Sequence, residues 1–385
     1  MEFDLSWLLL GLPIAFVLGW LASRFDIRQL RLENRQAPKA YFKGLNFLLN
    51  EQQDQAIDAF IEAVQKDPDT SELHFALGNL FRRRGEYERA VRVHEHLLSR
   101  GDLSTDDRHR AQHALALDFL KAGLLDRAEA ALHKLEGSRF EEQSRLALLS
   151  IYERTRDWPH ASEIAQKLEA SAHGTFSGRL AHYLCEEAAT LHAAGKSADA
   201  QQHLEQAIQI APQAPRPRFD LAHLFSKTER PQEAFNTLLT IAEATPNAMP
   251  LAASMLARTG QQVGRQAEAL AALEASYLQF PSLDVLEAIV SMAGDSAEDK
   301  QAARLRYAQH LDHEKSLVAA ARWIAGETLQ HEEFHPQVQR ALDHATKPLT
   351  RYRCAACGFE AKQHFWQCPG CQAWDSYPAR RVEEL

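Results

Sequence analysis

The alternation of apolar and polar residues divides the chain into three stretches. From Leu5 to Ala22 the run LSWLLLGLPIAFVLGWLA carries no charge over eighteen residues, which as a helix reaches about 27 Å, close to the hydrocarbon thickness of a bilayer. From about residue 38 to residue 346 small and apolar residues recur at helical spacing between charged ones, in paired segments. The remainder, 347–385, follows neither pattern and is rich in cysteine and aromatic residues. The pattern predicts an all-α chain with an N-terminal transmembrane helix (1–23), a basic linker (24–37), a helical array (38–281), further helices (282–346) and a small C-terminal unit (347–385).

The first stretch reads as an uncleaved anchor. A secretory leader begins with basic residues, whereas only Glu2 and Asp4 precede this apolar run. Trp7 and Trp20 stand near its ends, where indoles favour the headgroup boundary. Arg24, Arg28, Arg31, Arg35, Lys39 and Lys43 follow it, so the positive-inside rule places the bulk of the chain in the cytoplasm. Gly11, Ala15 and Gly19 recur every fourth residue and form a small-residue face on which another membrane helix, including one from a second copy, can pack closely.

The helical array is repetitive. Gly44, Phe47, Ala56, Phe60, Ala63 and Pro68 map, 34 residues on, to Gly78, Phe81, Ala90, His94, Leu97 and Asp102. The second unit reads LGNLFRRRGEYERA and resembles the tetratricopeptide repeat, a helix, a tight turn and an antiparallel helix. The same frame recurs around Leu115 and Gly123, Leu149 and Trp158, Ala188 and Gly195, Ala222 and Ala234, and Gly264 and Ala269, making seven units up to about residue 281. Small residues let the paired helices approach, larger ones fill the space between them, and each unit buries its apolar face against its neighbours. Such a helical solenoid binds protein segments on the face lined by its first helices. The frame points Phe75, Asn79 and Arg82 to that face in the second unit, and Arg216, Phe219 and His223 in the sixth.

Chemistry concentrates in YRCAACGFEAKQHFWQCPGCQAWDSYP. Cys354, Cys357, Cys368 and Cys371 form two CxxC pairs ten residues apart, which as two knuckles close a tetrahedral shell of four sulfurs for zinc or a single iron. With four cysteines no coordination position stays open, the mark of a structural site. The predicted cofactor is therefore one structural Zn2+, with iron as the alternative. Clustered cysteines also fit a reducing compartment better than a disulfide framework does. A net charge of −9 argues against a nucleic-acid binder.

Two other places carry reactive residues. HEEFH at 331–335 matches the HExxH zinc-protease pattern, but Pro336 biases His335 out of the helix on which both imidazoles would have to share a face, so a surface helix end is the competing assignment. Cys185 falls in the first helix of the fifth unit among apolar neighbours and reads as a buried, inert thiol.

An anchor, tetratricopeptide repeats and a rubredoxin-like four-cysteine ribbon in this order resemble the lipopolysaccharide assembly protein B family (LapB, YciM) over the whole chain. Both knuckles, Trp366 and Trp374 fit that family, whose metal ligands carry over onto Cys354, Cys357, Cys368 and Cys371. Gln372, where the second knuckle usually has glycine, and the short gap are departures from ordinary rubredoxin. The resemblance implies an inner-membrane adaptor and not an enzyme. Its implied partners are the protease FtsH, the deacetylase LpxC, whose degradation it promotes, and the membrane regulator LapC (YejM, PbgA). The ribbon is expected to pack on the repeats. A membrane scaffold that assembles lipopolysaccharide synthesis or transport enzymes is the alternative, and an electron carrier or a metalloprotease are the readings of other classes.

Overall fold

The computed structural model describes residues 16–20, 42–66, 69–171, 174–294, 296–326 and 334–385. Most of the expected membrane span and all of its basic linker lie outside these residues. Residues 16–20 are helical, and no helix among the described residues is long and apolar enough to cross a membrane. Gly11 and Ala15 are likewise outside, while a Cβ on Gly19 would meet nothing within 4 Å.

The chain forms two compact units, Met1–Thr155 and Arg156–Leu385. In the first, α1 (42–49) precedes α2 (Gln53–Lys66), α3 (Ser71–Arg83) pairs with α4 (Tyr87–Ser99), α5 (Thr105–Ala122) pairs with α6 (Leu125–His133), and α7 (Glu141–Thr155) follows. In the second, α8 (Trp158–Ala170) leads into the pairs α9 (Ser177–Ala193) with α10 (Ser197–Ile210), α11 (Pro215–Lys227) with α12 (Pro231–Ala244), and α13 (Met249–Gln262) with α14 (Gln266–Gln279). The helical array then continues through α15 (Leu283–Ser291), α16 (Ala297–His313), α17 (Leu317–Ala325) and α18 (His335–Thr346).

The repeat frame has a structural signature at both of its tight points. A Cβ on Gly44 would come within 2.8 Å of the Phe60 ring, and one on Gly78, 34 residues later, within 2.5 Å of His94. Glycine is thus required where the large side chain of the second helix crosses the first. The turn between the helices carries a left-handed residue seven times: Glu51, Gly85, Gly123, Arg156, Gly195, Glu229 and Gly264. In six of these turns the next amide donates back to the carbonyl five residues earlier, as from Glu86 to Phe81 at 2.9 Å and from Arg230 to Phe225 at 2.8 Å. Arg89, Arg127 and Arg230 then lay guanidinium groups over Phe81, Phe119 and Phe225 at 4.0, 4.2 and 4.4 Å.

The cores are strings of neighbouring helix pairs. Ala56, Phe60, Leu73, Leu77, Phe81 and Ala90 pack together in the first unit. In the second, Cys185, Leu204, Leu221 and Phe225 form one cluster and Phe235, Leu238, Met249, Leu256, Leu273 and Val285 the next. Each fully buried large side chain contributes roughly 1.5–3 kcal/mol. Beyond α14 the caps are explicit: Ser296 and Asp299 form a capping box on α16, and the Ser316 hydroxyl accepts from the Ala319 amide of α17.

Candidate metal centre and the helix face it covers

The C-terminal segment opens with β1 (Tyr352–Arg353), antiparallel to β2 (Glu360–Ala361) in the register Tyr352 to Ala361. The turn between them is the first knuckle. The Gly358 amide donates to the Cys354 carbonyl at 2.8 Å, with φ of 77° at Gly358. The second knuckle repeats this geometry with a different residue: Gln372 donates to the Cys368 carbonyl at 2.8 Å and holds φ of 61°. Departure from glycine at Gln372 has left the turn intact at the expense of backbone strain.

The four sulfurs converge. Cys354 to Cys371 is 3.8 Å, Cys357 to Cys368 is 3.7 Å, and all four lie within 4.8 Å of one another. A tetrahedral shell with metal–sulfur bonds of about 2.3 Å places its sulfurs about 3.8 Å apart, so the cysteines present fit a four-coordinate metal. Cys354 and Cys368 are buried and Cys357 and Cys371 exposed. Burial pulls the Cys354 thiol up, but the Ser376 hydroxyl at 3.3 Å and the backbone amides of Cys357 and Ala356 outweigh it and bring it down to about 6. Cys357 goes the other way, to about 12: the Phe359 amide pulls it down, but desolvation and the three neighbouring thiols outweigh that. Four sulfurs this close cannot all ionise without a cation among them. A bound metal would supply folding energy to a segment whose own buried core is only Tyr352, Cys354, Cys368 and Tyr377, backed by Leu251 of α13.

The knuckles also aim an aromatic edge at the first helices of the second unit. The Asp375 amide donates to the Trp366 carbonyl at 2.9 Å, and Gln367 bridges to Trp374, so both tryptophans are fixed beside the second knuckle. Trp374 stacks on His182 of α9, centroids 4.6 Å apart, and meets Tyr183 and Trp158 edge-on at 6.1 and 6.2 Å. His182 is nearly inaccessible, and its Nε2 donates to Asp375 at 2.8 Å. Its Nδ1 then accepts from Arg216 at 3.3 Å, an arrangement that a neutral imidazole satisfies at both nitrogens. Arg216 also donates to Glu186 at 2.6 Å and Asp220 at 3.1 Å, and lies 5.8 Å above the Trp374 ring. Trp366 meets Phe219 edge-on at 6.2 Å.

A tail after the ribbon fastens it further along the array. Arg381 makes a two-pronged pair with Asp284 of α15 at 2.8 and 2.9 Å and covers the Tyr352 ring at 4.2 Å. Glu384 accepts from the Leu283 amide at 2.7 Å, and Glu383 accepts from the Val318 amide at 3.0 Å and from the Ser316 hydroxyl. Two carboxylates thereby cap the N-termini of α15 and α17, where the helix dipole favours negative charge. Burial pushes the Glu384 carboxyl up, against the pull of the amides of Arg381 and Leu283.

Of the residues the repeat frame assigns to a partner surface, Arg216 is buried in this internal network and Phe219 is half-covered by the ribbon, while His223 packs edge-on against Phe219 at 4.6 Å. In the first unit Phe75 is core, packed with Leu97 and Ala111 and lidded by the Arg110 guanidinium at 4.1 Å. It has no surface to offer a partner, because Arg110 from the following helix pair closes over it. Arg82 is held by Asp118 at 2.9 Å and by Asn79, with Asp118 fully buried between Arg82 and His94. His182 and the tail glutamates escaped the sequence reading, and Trp158 entered it as a repeat-frame position without its contact to Trp374. His182 had a signal, since it stands 34 residues before Arg216 and so holds the same place in the frame.

The other candidates resolve simply. Burial, with Asp220 nearby, pushes the Cys185 thiol well up, and it is an inert core residue. His331, Glu332 and Glu333 lie outside the described residues. His335 opens α18 ahead of Pro336 and donates to the Ile324 carbonyl at 3.4 Å.

Comparison with known proteins matches both parts. Residues 352–377 match the family described as the rubredoxin metal binding domain, and residues 191–259 match the tetratricopeptide repeat. Lipopolysaccharide assembly protein B of Escherichia coli (strain K12) is 28% identical over 390 residues, covering 99% of this chain and 100% of that one. The protein of the same name from Haemophilus influenzae is 28% identical over 400 residues, covering 96% of each. Among solved structures, the TPR2AB-domain:pHSP90 complex of yeast Sti1 covers 67% of this chain and 99% of its own at 17% identity and a TM-score of 0.34. In its repeats, in its metal ribbon and along nearly its whole length, the chain resembles the lipopolysaccharide assembly protein B family.

Proposed function

We propose that the chain is a membrane-anchored adaptor in lipopolysaccharide assembly that acts by binding and not by catalysis. The observation that carries this is the joining of an end-to-end likeness to lipopolysaccharide assembly protein B with a metal shell of four cysteines. A shell filled by Cys354, Cys357, Cys368 and Cys371 leaves no position for water or substrate, so the metal serves the fold. In this reading residues 1–23 anchor the chain in the bacterial inner membrane with its bulk in the cytoplasm. The repeats hold the deacetylase LpxC beside the protease FtsH, and LapC restrains the adaptor. Confining both to one membrane surface raises their effective concentration without new contacts.

The test is to deplete the protein in its native host, block translation and follow LpxC by immunoblot. A lengthened half-life supports the adaptor. An unchanged half-life removes the degradation mechanism and leaves the assembly scaffold in its place.

A further inference from the structure

Docking of the ribbon leaves one part of the first-helix face open. Trp374 covers His182 of α9 and Arg216 of α11, and the ribbon and its tail meet α11, α13 and α15 at Phe219, Leu251 and Asp284. Between them and the ribbon lies a cavity of about 440 Å3, within the size range of specific ligand sites. Phe219, Leu251 and Trp366 make its apolar floor, Ser254 and Ser291 offer hydroxyls from the helix side, and Lys362 and Gln363 stand on the ribbon side.

Its charges are unequal in availability. Asp284 is neutralised by Arg381 through two hydrogen bonds, and Glu287 by Arg322 at 3.2 Å. Lys362 is exposed and has no carboxylate partner among the described residues. A guest carboxylate would meet a free ammonium here, whereas a guest lysine or arginine would have to break an existing pair to find its own. Six of the fourteen residues that line the cavity come from the ribbon and its tail, so the cavity depends on the ribbon being folded and docked.

We infer that this composite cavity is a docking site for an extended acidic segment of a partner protein, which seats an aromatic or large aliphatic side chain on Phe219, Leu251 and Trp366 and places a neighbouring carboxylate against Lys362. This deepens the adaptor reading and rests on it. It also gives the metal a role in binding: the ribbon is one wall of the site, and guest affinity is linked to metal occupancy.

Fluorescence polarisation of a labelled Gly-Phe-Glu-Leu-Asp-Gly peptide on the full metal-loaded chain, with a control carrying Lys at both acidic positions, tests this directly. The acidic peptide should bind saturably, and the basic one at least about tenfold more weakly. Ser254→Trp, at an exposed helix position, fills the cavity and should weaken the acidic peptide at least about tenfold. Lys362→Glu should reverse the preference between the two peptides, an outcome that misfolding cannot imitate. Stripping the metal should abolish binding.

No saturable binding below about 1 mM, equal affinity for the two peptides, indifference to Ser254→Trp, or displacement by inorganic phosphate whatever the apolar side chain would each overturn the assignment. A Ser254→Trp chain that controls LpxC turnover normally in cells would remove the cavity's role alone. An unchanged LpxC half-life on depletion would instead remove the adaptor reading on which it rests.

Discussion

His182 of α9 lies flat against Trp374 of the ribbon, ring planes 20° apart, while its far nitrogen reaches Asp375 of the same ribbon. One imidazole is thus both a stacking platform and a hydrogen-bond donor for the C-terminal segment.

A double-mutant cycle on His182→Ala and Trp374→Ala should return a coupling of about 0.5–1.5 kcal/mol in denaturant unfolding, the range for contacting ring pairs. Additive effects would show that the stack holds the ribbon no more firmly than its other contacts do.

The metal is expected at one ion per chain. Its removal by chelation should shift tryptophan emission to the red as Trp366 and Trp374 leave the helices, with little loss of helical signal, because the repeats keep their own cores. Unchanged emission from protein verified as metal-free would contradict a metal-dependent ribbon. Visible thiolate absorbance in protein from the native host would identify iron instead of zinc.

The two knuckles differ in strain. Gln372→Gly relieves a left-handed non-glycine turn and should stabilise the chain by roughly 0.5–1 kcal/mol, whereas Gly358→Ala at the matching turn should cost about 1 kcal/mol. Thermal melts of the two variants that move in the same direction would refute the equivalence of the turns.

Gly78 tests the repeat frame. Adding a methyl group pushes into the buried His94 ring, and Gly78→Ala should cost about 1–3 kcal/mol in urea unfolding. Gly101, where a Cβ meets nothing within 4 Å, is the control and should tolerate the same change far better.

What could be read in the sequence followed from locality. The ligands Cys354, Cys357, Cys368 and Cys371 are set by spacing within one short segment, and Gly44 and Gly78 by a fixed period, so both were legible without a structure. Placement of the ribbon was not, because nothing near His182 in the sequence announces Asp375 or Trp374. Phe75 shows the opposite limit: the frame assigns it to the open face, but Leu97 of the paired helix and Ala111 and Arg110 of the next one bury it. Arg216, which the frame assigns to the partner face, lies under Trp374 of the chain's own ribbon.

The bond from His182 to Asp375 joins residues 193 positions apart, and that from Asp284 to Arg381 joins residues 97 apart. A repeat array by itself makes contacts only between sequence neighbours and can fold from any point outward, or fray one unit at a time. These long closures change its kinetics. The ribbon can dock only after α9, α11 and α15 are all in place, so the last folding step waits on the slow closure of large loops. Once made, that step ties helices from several repeats into a single cooperative block, which opens as a whole or not at all.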